Sequence, residues 1–273
     1  MLADLARASR PLSWINTAYP FAAAYLLTTG RVDVTLVVGT VFFLVPYNLA
    51  LYGVNDVFDY ASDLANPRKG GVEGALLPPR RHRTVLVASL VACVPFVVAL
   101  VALGPPWSWA VLAVSLFAVL AYSAPPFRFK EVPVLDSLTS SVHFVSPAVY
   151  GLALAQAAPS ARTWAVLGAF LLWGMASHAF GAVQDVVPDR AAGIASVATA
   201  LGAARTVRLA LLAWCAAGCW SRPSAPRRGS PACSCCPTWR SRCPTPGCPT
   251  RTRRARTAAG GTSCGSTTRW ARP

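Results

Sequence analysis

Six apolar stretches recur along the chain, at about residues 12–29, 34–54, 84–103, 107–124, 135–157 and 163–183. Each is close to the ~20 residues an α-helix needs to cross a hydrocarbon layer ~30 Å thick. Inside that layer the backbone has no water to bond, so spanning segments are helices or closed barrels, and runs of this length are helices. Composition agrees: 54% of the 273 residues are hydrophobic and only 13% are charged, against about 25% in an ordinary soluble domain. A soluble enzyme is therefore disfavoured, and the expected fold is all-α, a polytopic membrane helix bundle. A seventh apolar stretch starts near Arg205 and stops at a break in composition around Gly218. The first stretch lacks a small-residue cleavage site and is followed by further spans, so it reads as a retained helix.

If alternate connections share a side, then Arg7, Arg10, Arg68, Lys69, Arg80, Arg81, Arg83, Arg128, Lys130, Arg190, Arg205 and Arg208 lie together, with Arg31 and Arg162 opposite. An excess of Lys and Arg marks the cytoplasmic side. The chain is expected to be a multi-pass integral protein of the cell membrane with these loops in the cytoplasm. Gly104-Pro105-Pro106 and Ala124-Pro125-Pro126 break the helices where the spans should end.

Residues 218–273 are a different material from residues 1–217. They carry 11 arginines and no acid, seven of the nine cysteines and eight of the 23 prolines, and supply +11 of the net +15. A zinc or disulfide module needs paired ligands at regular spacing, whereas Cys233, Cys235 and Cys236 are irregular and no histidine follows His178. A basic disordered arm for anionic phosphates is a second reading, although seven cysteines fit it poorly. The favoured reading is translation in the wrong frame of GC-rich DNA. With TGC for Cys, TCC for Ser, CCT for Pro and ACC for Thr, residues 232–239 read one base earlier become a run of leucines followed by proline, tyrosine and leucine. That is a piece of membrane helix, and on this reading the chain as written has an incomplete bundle and is expected to be inactive.

Five of the ten acidic residues sit in two short clusters, both at the cytoplasmic ends of spans. In NDVFDYASD (55–63), Asn55, Asp59 and Asp63 recur every four residues and so share a helical face. Crowded carboxylates repel unless a cation neutralises them, and hard oxygen ligands favour Mg2+, which keeps waters and takes phosphate oxygens as further ligands. In QDVVPDR (184–190), Asp185 and Asp189 are again four apart, with Pro188 between them disturbing the stacking. Either cluster alone reads equally as a solvated helix end with capping aspartates. Two clusters on one face of an acid-poor chain are a functional-site candidate, because boundary carboxylates are costly.

NDVFDYASD followed by NPRKGG (66–71), and QDVVPDRAAG (184–193), resemble the two aspartate-rich motifs of the UbiA-type intramembrane prenyltransferases. The resemblance covers roughly residues 5–217. The opening RPLSWINTAYPF (10–21) and the proline of DVVPD look like the lycopene elongase branch, which adds C5 units to carotenoid ends. The family fold is a bundle of nine helices around a cavity open to lipid, against six spans and a fragment in this chain.

The resemblance implies that Asn55, Asp59, Asp63, Asp185 and Asp189 hold Mg2+ on the diphosphate of an allylic donor, with Asp56 as a supporting partner; Asp56, Asp59 and Asp185 are the residues on which catalysis is expected to rest. Arg68, Lys69, Arg128, Lys130 and Arg190 are the candidate diphosphate cations. Arg68, Lys69 and Lys130 lean functional, Arg128 fits either role, and Arg80, Arg81 and Arg83 read as topological charges. His178, two turns before Asp185, reads as a packed histidine in preference to a proton acceptor, and His143 is open. Trp14, Tyr19, Phe21, Phe42, Phe43, Tyr47, Tyr52 and Phe58 read mostly as packing, with cation stabilisation as the alternative. The expected reaction is prenyl transfer, from dimethylallyl diphosphate to a lipophilic polyene such as lycopene. The partners are that donor, that acceptor and membrane lipid, with no nucleic acid. A quinone precursor is the rival acceptor, and an ion-coupled transporter or lipid-binding protein is the rival class.

Overall fold

The computed structural model describes residues 2–64, 66, 70 and 75–220; Arg68, Lys69 and nearly all of the basic Cys/Pro/Arg-rich segment lie outside the described residues. In chain order the helices are α1 (Leu2–Ala8), α2 (Trp14–Thr29), α3 (Val34–Leu44), α4 (Pro46–Phe58), α5 (Tyr60–Leu64) and α6 (Pro79–Leu103). They continue as α7 (Pro106–Ser123), α8 (Leu135–Leu154), α9 (Ala161–Ala182), α10 (Val186–Ala191), α11 (Val197–Leu201) and α12 (Ala203–Trp220). No strand occurs among the described residues, so the all-α expectation holds. The six apolar runs become α2, α3 with α4, α6, α7, α8 and α9, and the seventh becomes α12.

Local chemistry accounts for the helix ends. Pro46, Pro79 and Pro106 open α4, α6 and α7, where a missing N–H costs nothing. Asp33 and Ser160 cap α3 and α9 by accepting from the Leu36 and Thr163 amides. Gly30, at φ 64°, closes α2 in the left-handed conformation that favours glycine.

The second apolar run is not one rod. Val45 and Pro46 break it into α3 and α4, and the break frees the carbonyls of Phe43 and Leu44. Asn48, fully buried, donates to both of them at 2.7 and 3.1 Å and to Thr17 Oγ1 at 2.7 Å, while Thr17 donates to the Phe43 carbonyl at 2.6 Å. Such a kink is tolerated in hydrocarbon because neighbouring side chains satisfy the backbone.

Phe21, Phe42, Phe43, Tyr47 and Tyr150 form the buried core, with Phe42–Phe43 and Phe43–Tyr47 centroids 4.9 and 5.1 Å apart in edge contacts. α2 lies backbone to backbone on α8: a Cβ added at Gly151 would stand 2.7 Å from the Phe21 carbonyl oxygen, the close approach that small residues permit between membrane helices. Leu27, Leu90, Val98 and Leu212 point outward. Four segments, Val34–Phe58, Pro79–Leu103, Pro106–Ser123 and Ala161–Ala191, are long and apolar enough to cross a membrane. α8 differs, burying Asp136, Ser137, Thr139, Ser141, His143 and Ser146 between its neighbours.

Candidate active site

The first acidic cluster straddles the junction of α4 and α5. Asp59 ends α4 at φ −97°, ψ −2°, yet the bonds from Asp59 N to Asn55 O (2.9 Å) and from Asp63 N to Asp59 O (2.8 Å) carry the helical register through. Asn55, Asp59 and Asp63 consequently line one cavity of about 380 Å³. The second cluster lies at the end of its span: α9 passes at Ala182 into a single 3-10 turn (Val183–Asp185), and α10 follows with Pro188 in its first turn. Asp185 and Asp189 line the same cavity.

Nitrogen donors hold the carboxylates. Lys130 Nζ forms an ion pair with Asp59 Oδ1, and Asn55 Nδ2 donates to Asp59 Oδ2 at 2.5 Å and to Ser123 Oγ at 2.9 Å. Asn66 Nδ2 donates to Asp185 Oδ1 at 2.9 Å, tying the loop after the first cluster to the second. A 3-10 turn, Phe129–Glu131, delivers Lys130. Its neighbour Arg128 is engaged with Glu131 instead, and that guanidinium holds the Glu131 carboxyl below the usual carboxylate range. Arg190 donates to the Thr199 carbonyl at 3.2 Å. Neither Arg128 nor Arg190 is among the residues lining the cavity.

Asp56 also stands behind the cavity wall, accepting from Arg10 Nη2 at 2.8 Å and from the Ala75 amide at 3.2 Å. Arg10 itself lines the cavity, lies 4.3 Å over the Tyr52 ring and keeps its Nε buried without a hydrogen-bond partner. Deeper down, Tyr122 and His178 line the wall. Tyr122 Oη lies 3.0 Å from His178 Nε2, and Ser137 Oγ 3.2 Å from His178 Nδ1. Of the aromatic candidates, Phe21, Phe42, Phe43 and Tyr47 pack in the core, Tyr19 and Phe58 are exposed, and Tyr52 faces the cavity.

Sequence reasoning assigned no site role to Arg10, Asn66, Tyr122 or Ser123. Their signals were local and weak: Asn66 opens NPRKGG, Tyr122 and Ser123 open YSAPPFRFK, and Arg10 precedes a proline. Arg68 and Lys69 lie outside the described residues.

The donor set suits a hard cation, being carboxylate and amide oxygens from two sides of one cavity. Among the described residues no three His, Cys, Asp or Glu side chains converge to hold an ion alone. The residues therefore fit Mg2+ that completes its shell with water and ligand oxygens.

A helical membrane bundle with opposed acidic clusters at one end defines the class of protein. The sequence matches the UbiA prenyltransferase family over residues 17–232, and the chain belongs to that family. It is 60% identical over 217 residues to the C(50) beta-cyclic carotenoids biosynthesis protein of Dietzia sp. (strain CQ4), covering 80% of this chain and 50% of that protein. The chain thus spans half the length of that relative. It is 55% identical over 204 residues to the lycopene elongase/hydratase of Corynebacterium glutamicum, covering 75% of this chain and 71% of the relative. In fold it is similar to a UbiA homolog from Archaeoglobus fulgidus solved with DMAPP and Mg2+, at TM-score 0.65 and 19% identity, covering 80% of this chain and 76% of that one.

Proposed function

We propose that this protein transfers a prenyl group from an allylic diphosphate, dimethylallyl diphosphate, to a lipophilic polyene of the lycopene type in C50 carotenoid biosynthesis. One observation carries the proposal: acidic clusters from α4–α5 and from the α9–α10 junction line one cavity, with Lys130 and Arg10 beside them. The names of the relatives support the polyene as acceptor in preference to a quinone precursor.

Asn55, Asp59 and Asp63 on one side and Asp185 and Asp189 on the other would hold magnesium, which supplies charge neutralisation to the diphosphate. Lys130 and Arg10 are the chain's own cations there, and they stabilise the charge that grows on the departing diphosphate. Arg68 and Lys69 are proposed as further diphosphate contacts. Asp56 positions Arg10. Tyr52, under the Arg10 guanidinium, and Tyr122 offer π faces to the allylic cation.

On this reading the protein is a multi-pass component of the cell membrane with its cavity mouth on the cytoplasmic side, where Lys and Arg concentrate. Residues 218–273 are proposed to be out of frame. The test is expression of the chain, and of a frame-restored version, in lycopene-producing bacterial membranes, with carotenoids read by mass spectrometry. Carotenoids extended by C5 units are expected from the restored form, and their absence from the chain as written would condemn its tail. Untouched lycopene in both would overturn the polyene reading and move the assay to quinone precursors.

A further inference from the structure

The carboxylate end of the cavity accounts for how a donor ionises, but not for how the reaction ends. Ionisation breaks the C–O bond of the allylic diphosphate, and the electron pair leaves with the diphosphate. The π pair of an acceptor double bond then forms the new C–C bond and leaves a tertiary cation on the polyene. That cation is discharged when a neighbouring C–H pair becomes a double bond, or when water adds and forms a C–O bond. Either route releases one proton, which needs an acceptor within the cavity.

His143 is placed for that task. It lies on α8 eight residues beyond its first residue, about 12 Å along the axis at ~1.5 Å per residue, and so away from the acidic mouth. It lines the cavity and is 3% exposed. Among the described residues neither of its ring nitrogens has a hydrogen-bond partner. A neutral imidazole carries one acceptor nitrogen, and here that lone pair is not engaged. Buried polar groups normally find partners, so a histidine on the cavity lining with both nitrogens buried and unpartnered points to a ligand. His178, the other histidine on the wall, is committed at both nitrogens, to Tyr122 and to Ser137. The Tyr122 ring, tied by its hydroxyl to His178, meets the His143 ring edge-on with centroids 5.4 Å apart. Tyr122 thereby fixes the tilt of His143 and is a positioning residue.

We propose that His143 is the catalytic base that ends the reaction, taking the proton from the carbon beside the polyene cation or from the water that adds to it. The proton then passes to water at the cavity mouth. This inference rests on the prenyl-transfer reading above and adds to it the group that discharges the product cation.

The test compares the frame-restored chain with its H143F and H143Q forms, measuring diphosphate released and extended polyene formed. General bases contribute typically 10²–10⁴-fold. In H143F the polyene formed per diphosphate released is expected to fall about 10²-fold, with the donor KM unchanged. In H143Q, which can orient water but is a poor base, the ratio of alcohol to alkene product is expected to shift. A merely structural role moves neither ratio. A second measurement needs no turnover: binding of an amine analogue whose protonated nitrogen replaces the cationic carbon, with inorganic diphosphate present. H143F is expected to bind it at least tenfold more weakly, while an uncharged tail of the same shape binds both forms alike. Equal analogue affinity overturns the role of His143 and leaves the departed diphosphate as the base. Diphosphate release by the frame-restored chain with His143 intact but without any polyene product overturns the acceptor reading instead, and analogue binding then decides on His143 by itself.

Discussion

Arg10 and Asp56, 46 residues apart in sequence, meet at 2.8 Å behind the cavity wall, and the pair fixes the one arginine that lines the cavity among the described residues. The Asp56 side chain is fully buried and that of Arg10 only 17% exposed. Removing one member of a buried ion pair costs up to about 3–5 kcal/mol, because the other charge loses its compensation. Arg10→Ala is expected to lower the thermal unfolding temperature in detergent. Arg10→Lys is expected to restore little of the loss, since an ammonium cannot both bond Asp56 and lie flat over Tyr52. Full recovery in the lysine variant would show that only charge matters there.

Asp59 is the carboxylate that Lys130 contacts. In the frame-restored chain Asp59→Ala is expected to abolish turnover with expression intact, and retained activity would remove Asp59 from the site. Lys130→Ala is expected to lower kcat/KM for the donor about 10²-fold, the scale of losing one preorganised electrostatic contact to a leaving group. Unchanged donor kinetics would reduce Lys130 to a neutraliser of Asp59.

Glu131 sets an acid limit on the turn that presents Lys130. Its carboxyl is held below the usual range by Arg128, so the folded state binds its proton less readily than the unfolded chain. The stabilisation is complete above the ordinary carboxylate pKa and is lost as pH falls through the depressed folded value. Glu131→Gln is expected to flatten that part of the acid limb in melting curves recorded between pH 6 and pH 3. Identical limbs would show that the pair contributes nothing.

Asn48 holds the α3–α4 break together. Asn48→Ala leaves the Phe43 and Leu44 carbonyls short of a donor, and a buried group left unsatisfied costs about 1–3 kcal/mol. Unfolding in mixed detergents is expected to shift by that amount. In Thr17→Val, which removes the second donor to the Phe43 carbonyl, the effect of Asn48→Ala is expected to be non-additive, because the two residues share one network.

The helices and the two acidic clusters were legible because hydropathy at span length and i+4 spacing are local properties. The break at Pro46 was not. The apolar run continues through it, and one of the two residues that satisfy it, Thr17, comes from a different helix. The same limit hid Arg10, whose position depends on a left-handed φ of 48° and on Asp56. The second cluster was expected to stack only approximately because of Pro188. The structure adds a 3-10 turn, Val183–Asp185, just before Pro188. Arg128 and Lys130 look equivalent in a string, but the turn sends one to Glu131 and the other to Asp59.

The polar helix α8 also bears on how the protein is made. A translocation channel passes segments to lipid according to apolar content, and α8 is not among the four segments apolar enough by that measure. Two of its hydroxyls find partners on the next helix: Ser141 donates to the Leu171 carbonyl, and Ser137 bonds His178. Released alone, α8 would carry those groups unsatisfied into hydrocarbon. Leaving the channel as a hairpin with α9 supplies those partners, and the wall that carries His143 takes shape with that pairing.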